Sequence, residues 1–129
     1  MDIGIASINI GVTDLDRAVG FYRDVLGLEP LFSEPAYSYA RFRLGGVNFG
    51  IIAHDISNPE AAAFTGRHTG LNLATTDLDV AVRQLKARGA SFTMEPVRQP
   101  WGAYMAVLSD PDGNLFYLEA TAPPSGGPA

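Results

Sequence analysis

Residues 8–19 read INIGVTDLDRAV, and residues 71–82 read LNLATTDLDVAV. Seven of the twelve positions are identical at an offset of 63, and most of the others exchange like for like. A chain that writes one unit twice is constrained to fold as two copies of one supersecondary motif. Whatever pattern is read in one half must therefore also work in the other. The 129 residues suffice for one compact domain or for two small halves sharing a core.

Within the first copy, Ile8, Ile10 and Val12 alternate with Ser7, Asn9 and Gly11, the period of a strand with one apolar face. Leu15, Ala18, Val19, Tyr22, Val25 and Leu26 then fall at spacings of three and four, one stripe of a helix. Thr13 and Asp16 read as a capping pair at its start, and Gly27 as its stop. In the second copy Leu71 and Leu73 alternate with Gly70, Asn72 and Ala74; Leu78, Ala81, Val82 and Leu85 form the stripe, and Gly89 ends it. Strand and helix must bury their apolar faces together. Ile8, Ile10, Leu71 and Leu73 are expected beneath the helices, with Ser7, Asn9, Gly70 and Asn72 on the opposite face of the sheet.

Three strand patterns follow each helix: 28–33, 37–44 and 47–53 in the first half, 91–96, 103–110 and 114–120 in the second. The last two of each half are joined by tight turns, Gly45-Gly46 and Asp110-Pro111-Asp112-Gly113-Asn114, where Pro presets one corner and Gly accepts a positive φ. Each half is thus βαβββ: module one over 5–53, module two over 70–120. The stretch 54–69 between them reads as mostly loop around a short helical turn, and 121–129, rich in Pro, Gly and Ala, as a loose tail. By period two, Tyr37, Tyr39 and Arg41 are expected on one face.

The composition narrows the function. There is no Cys, which excludes thiolate nucleophiles and Cys-ligated metal centres and fits a cytoplasmic protein. A net charge of −5 argues against a nucleic-acid partner, which needs a basic face. It suits solubility or a cationic ligand. No apolar run reaches the length of a membrane helix, and the first ten residues alternate like a strand rather than running apolar like a signal peptide.

The helix segment TDLDRAVGFYRDVLGLEP, the terminal DPDGN turn and the internal duplication together resemble the vicinal oxygen chelate superfamily: glyoxalase I, bleomycin-resistance proteins, fosfomycin-resistance enzymes and extradiol dioxygenases. The resemblance spans about residues 5–120. It implies an α+β fold of two βαβββ modules forming an eight-stranded open half-barrel around a cavity, and a homodimer. In metal-dependent members each module supplies two ligands, commonly His from its first strand and Glu from its last. Those positions correspond here to Ser7, Gly50, Gly70 and Tyr117. Two have no side chain, Ser is a poor ligand, and Tyr coordinates only when ionised, against a pKa of about 10. The resemblance is thus to the metal-free, bleomycin-resistance-like branch, with neither metal nor other cofactor expected. A slipped metal set of His54, His68 and Glu119 would need register shifts in opposite senses.

The expected ligand-binding residues are Ser7, Asn9, Asn48, Asn72, Trp101, Tyr104, Tyr117 and Glu119, with small Gly50 and Gly70 leaving room for a bulky compound. Trp101 and Tyr104 are candidates to stack on a ligand, and Glu119 to hold a cation. The expected function is capture of a small aromatic or cationic molecule. The alternative is a lyase, isomerase or dioxygenase of the same superfamily, with an atypical metal site or with Glu119 or Tyr117 in acid–base chemistry. Ser7 has no His–Asp partners for a hydrolase triad.

Overall fold

Two aspartates start the helices. Asp14 caps α1 (Leu15–Gly20), accepting a hydrogen bond from the Arg17 N–H at 3.0 Å, and Asp77 caps α3 (Leu78–Ala87), accepting from Val80 N–H at 3.2 Å. The first cap is therefore Asp14 rather than Thr13. The Thr13 hydroxyl instead accepts from the Arg17 guanidinium at 2.9 Å, while Asp14, with extended backbone, turns its carboxylate to the free N–H groups of the first turn. The structure, a computed structural model, describes residues 1–121; of the tail expected over 121–129, all but Thr121 lies outside them.

The chain divides into two compact units, one over residues 1–67 and one from His68 onward. In the first, β1 (Ile8–Val12) leads into α1, and β2 (Glu29–Glu34), β3 (Tyr39–Leu44) and β4 (Val47–Ala53) follow. Their order is β1-β4-β3-β2, with β1 parallel to β4 and the other pairs antiparallel. The parallel pair is possible because α1 carries the chain back over the sheet before the antiparallel meander begins. In the second unit β5 (His68–Thr75), α3, β6 (Ser91–Arg98), β7 (Tyr104–Ser109) and β8 (Leu115–Ala120) repeat the plan in the order β5-β8-β7-β6. This is the expected α+β fold of two βαβββ modules, each an open four-stranded sheet with a helix. The stretch between them holds α2 (Pro59–Phe64), capped by Asn58, and β5 begins at His68, inside the segment read as linker.

One face of each sheet is filled from its helix. Tyr22 is fully buried, its ring 5.2 Å from Phe49 and 6.2 Å from Phe42, with Val12 and Ile51 also sealed from water. Burying a large apolar side chain this completely contributes about 1.5–3 kcal/mol. In the second unit Leu78, Val82 and Leu85 of α3 are buried, as are Ala106, Leu108, Phe116 and Leu118 of the sheet. After Gly20 the first helix continues as a π-helical turn over Phe21–Val25, in which Leu26 N–H reaches Phe21 O. Gly27, at φ 76°, then ends it as expected. Tyr37 departs from the pattern. Pro35 opens a 3₁₀ turn over Pro35–Tyr37, and Ser38 has φ 52°, so Tyr37 stands off the strand and does not share the face of Tyr39 and Arg41.

The turn before β8 is built on a buried carboxylate. Asp110 Oδ1 accepts from the N–H groups of Asp112 and Asn114 at 2.9 and 2.8 Å, while its Oδ2 accepts from Asn114 Nδ2 at 2.9 Å. Gly113 takes φ 83°. Asp110→Ala leaves these buried donors without their acceptor and is expected to lower stability by about 2–3 kcal/mol. Urea denaturation measures this; a loss below about 0.5 kcal/mol, the scale of an ordinary surface substitution, would refute it.

Candidate functional site

Strand alternation leaves the face opposite α3 free. Along β5 the side chains alternate between exposed and half-buried, so Leu71 and Leu73 sit on the helix side while Gly70 and Asn72 sit on the open side. Tyr117 stands opposite Asn72 in register, Val107 opposite Tyr117, and Met94 opposite Val107, a row across the whole sheet. One step along, Met105 stands opposite Glu119. Together with Gln99 and Trp101, these residues line a cavity of about 550 Å³, within the usual range for a small-molecule site.

The polar content of the cavity is small and arranged. Asn72 Nδ2 donates to Glu119 Oε1 at 2.9 Å, a diagonal contact between β5 and β8. Oε2 of the same carboxylate has no partner among the described residues. His68 lies beside the cavity, its ring 4.5 Å from that of Tyr117, and its Nδ1 accepts from Gly70 N–H at 3.0 Å. That bond needs the φ of 75° at Gly70, which a side chain would strain. Where the pairing of β5 with β8 shifts register, the Thr69 hydroxyl substitutes for the ladder, donating to Leu115 O at 2.7 Å and accepting from Leu71 N–H at 3.1 Å.

Trp101 owes its position to the turn 99–102. Pro100 presets the first corner, Gly102 takes φ 99°, and Gly102 N–H donates to Gln99 O at 2.9 Å. The indole stands at the tip between β6 and β7 and is 74% exposed.

Of the expected residues, the cavity brings together Asn72, Trp101, Tyr117 and Glu119. Ser7, Asn9 and Asn48 belong to the first unit: Asn9 Nδ2 donates to Ser7 Oγ at 3.3 Å, and Asn48 Nδ2 to Ala6 O at 3.2 Å. Tyr104 is not among the cavity-lining residues. Its parity on β7 is that of buried Ala106 and Leu108, and its hydroxyl donates to Asp79 of α3 at 2.6 Å. Met94, Gln99, Met105 and Val107 line the cavity without having been singled out. In the run YMAVL both parities are apolar, so alternation could not tell the helix side from the open side.

The four positions at which the resemblance implies ligands, Ser7, Gly50, Gly70 and Tyr117, hold a hydroxyl, two glycines and a phenol. The Ser7 hydroxyl accepts from Asn9, and any side chain at Gly50 would run into the amide of Asn9 and lie 2.6 Å from the Tyr39 hydroxyl. Gly70 offers no donor, and Tyr117 offers a phenol. Among the described residues no three His, Asp or Glu side chains come together around one point. His54 packs edge-on against Phe64 at 5.6 Å, with Nε2 buried and unpartnered.

Two open βαβββ sheets, one bearing a cavity lined in part by Trp101 and Tyr117, define a protein built on a duplicated module. The sequence pattern of the Glyoxalase/Bleomycin resistance protein/Dioxygenase superfamily matches residues 4–118, and the chain belongs to that superfamily. A superfamily member from Sphaerobacter thermophilus DSM 20745 has a similar structure, with a TM-score of 0.76 and 31% identity over 92% of this chain and 98% of that one. TnmS3, an antibiotic binding protein from Streptomyces sp. CB03234, superposes with a TM-score of 0.75 at 28% identity, covering 95% of this chain and 99% of its own. The chain is also 29% identical, over 87% of its length, to lactoylglutathione lyase GLX1 of Arabidopsis thaliana, but spans only 42% of that enzyme.

The hydrogen bond to Asp79, and secondarily burial, raise the pKa of the Tyr104 phenol above its ordinary value. A raised folded-state value means that the bond contributes fully below the unfolded phenol's pKa of about 10 and is lost as pH rises through the folded one. Tyr104→Phe should therefore cost about 0.5–1 kcal/mol at neutral pH, as befits an exposed bond. The gap between variant and wild type should close above about pH 10. Denaturation at both pH values tests this, and a gap independent of pH would contradict it.

Proposed function

We propose that this protein captures a small, flat aromatic compound bearing a cationic or hydrogen-bond-donating group, without turning it over, and that it does so without a metal ion. The observation that carries this reading is the pairing of an exposed Trp101 with a cavity lined by the Glu119 carboxylate, one oxygen of which has no partner among the described residues. The indole and the Tyr117 ring supply faces for stacking, worth roughly 0.5–1.5 kcal/mol per aromatic pair beyond the area covered. Met94 and Met105 supply deformable apolar walls that adapt to a bulky ligand. Glu119 Oε2 supplies the point of orientation, and Asn72 holds the carboxylate in place. The absence of carboxylate and imidazole at Ser7, Gly50, Gly70 and Tyr117 supports binding over metal-assisted catalysis. The likeness to an antibiotic binding protein agrees with it. We further infer from the resemblance that it works as a cytoplasmic homodimer, and light scattering of the purified protein tests the assembly.

Isothermal titration with bleomycin and a panel of flat aromatic amines, read in parallel by Trp101 fluorescence, is the direct test. One compound class should bind saturably and change the indole emission. Trp101→Ala should weaken it roughly tenfold, equivalent to about 1.4 kcal/mol. Glu119→Gln should weaken cationic compounds more than their neutral analogues. If no compound produces a saturable response, the reading fails. If instead a bound compound is consumed and Glu119→Gln stops its consumption, the protein is an enzyme using that carboxylate as a base.

A further inference from the structure

We propose that Arg98 is a positioning residue for Trp101: from the side of the second sheet away from the cavity, its guanidinium clamps the turn that carries the indole. The clamp is a property of the free protein, and only its effect on binding rests on the reading of the cavity as a capture site. Val97 stands opposite Met105, which lines the cavity, and Arg98 stands opposite Tyr104. Residues paired directly across a ladder share a face. Tyr104 is on the side of α3, where its hydroxyl donates to Asp79 at 2.6 Å. Arg98 therefore leaves the strand on the helix side, and it is not among the residues that line the cavity. Its Nη1–H donates to Gly102 O at 3.0 Å, and among the described residues it makes no ion pair.

The turn has little else to fix it. Two backbone bonds close it, from Gln99 N–H to Ala103 O at 2.7 Å and from Gly102 N–H to Gln99 O at 2.9 Å. Neither engages the peptide that joins Gly102 to Ala103. Packing does not hold that peptide either, since nothing beyond the chain neighbours lies within 4 Å of where a Cβ on Gly102 would stand. At φ 99° Gly102 is in a region that glycine enters and leaves at little cost. The indole adds no anchor of its own, being 74% exposed and without a hydrogen bond or ring contact among the described residues. On the cavity side Gln99 Nε2 donates to Met94 Sδ at 3.9 Å, and a thioether is a weak acceptor. The charge-assisted bond from Arg98 is the stronger of the two side-chain tethers.

The clamp acts from a supported base. Tyr104, across the ladder from Arg98, is tied to α3 through Asp79, so the restraint on the turn runs back to a helix packed on the sheet rather than to a second loop. A turn ordered in advance presents its aromatic ring without the entropic cost of ordering it on binding. Arg98 does not line the cavity, so its removal reaches a bound compound through Trp101 and not through a lost contact.

The test compares the wild type with Arg98→Met, Arg98→Lys and Arg83→Met, the last an equal change of charge at an exposed position of α3. Without any ligand, NMR relaxation of the Trp101 and Gly102 backbone amides reads the clamp directly. The wild type should give order parameters of about 0.85 at both, and Arg98→Met should bring them toward about 0.6. Arg98→Lys should restore most of the order, because one carbonyl takes one donor and needs no planar fork. Arg83→Met should match the wild type. Isothermal titration with proflavine, a flat aromatic cation, then reads the consequence. Arg98→Met should weaken its binding roughly threefold, and should weaken it no further once Trp101→Ala is present. Amides as ordered in Arg98→Met as in the wild type overturn the clamp. So does a loss of affinity that persists undiminished beside Trp101→Ala. If proflavine binds none of these proteins, it is the capture reading that loses its support, and the relaxation data still decide the clamp. Should Arg98→Met not fold, Arg98→Gln takes its place with the same expected result.

Discussion

The packing of one helical stripe against one face of a four-stranded sheet sets the terms for everything else in each unit. Tyr22 wedged among Phe42 and Phe49, and Leu78, Val82 and Leu85 buried over the second sheet, turn one parity of the sheet strands toward the helices. Because successive strand residues point to opposite faces, the other parity is committed at the same moment to the open side. Ser7, Asn9 and Gly50 in the first unit, and Asn72, Tyr117 and Glu119 in the second, are where they are because Ile8, Ile10, Leu71 and Leu73 are elsewhere. A one-residue slip would exchange the two sets and destroy core and site together.

The two copies have kept their core faces and their helix starts and have parted on their open faces. The TDLD segment is the same in both, since each Asp cap and each first-turn Leu answers a demand internal to the module. No such demand acts on the open face. There the first unit assembles a cation between aromatic rings, with a hydrogen-bond chain behind it. The second assembles thioethers, a phenol and a carboxylate beneath an exposed indole. A duplicated scaffold thus presents two surfaces of opposite charge character on near-identical frames. What distinguishes them is a handful of side chains on the open faces.

The strands and helices were legible because long alternating runs and three-four stripes admit few readings, and the duplication checked each against the other. Where legibility failed, the cause was local. At 37–44 the alternation continues through Tyr37, but Pro35 starts a turn and Ser38 takes a left-handed conformation, so the first residues of the run never join the strand. At 103–108 both parities are apolar, and the side of Tyr104 was decided by the short turn that presents Trp101, with Gln99 N–H donating to Ala103 O. Asn72 was expected on the open face from the alternation of the first strand of its module, and Tyr117, with Glu119 two residues on, from the resemblance. Met94 and Met105, apolar like any core residue, carried no mark of facing a cavity.

By itself, then, the sequence determined the duplicated βαβββ plan and the division of the first strand of each module into a buried and an open parity. These follow from the periodicity and identity of residues, which local sterics and hydrophobic burial translate directly into structure. Only the tertiary structure decided that Tyr104 binds Asp79 rather than lining the cavity, that Asn72 hydrogen-bonds Glu119, and that the Arg41 guanidinium lies against Phe32 and Tyr39. Those relations join residues on separate strands, and their sense depends on turns and register shifts whose geometry a linear pattern does not carry.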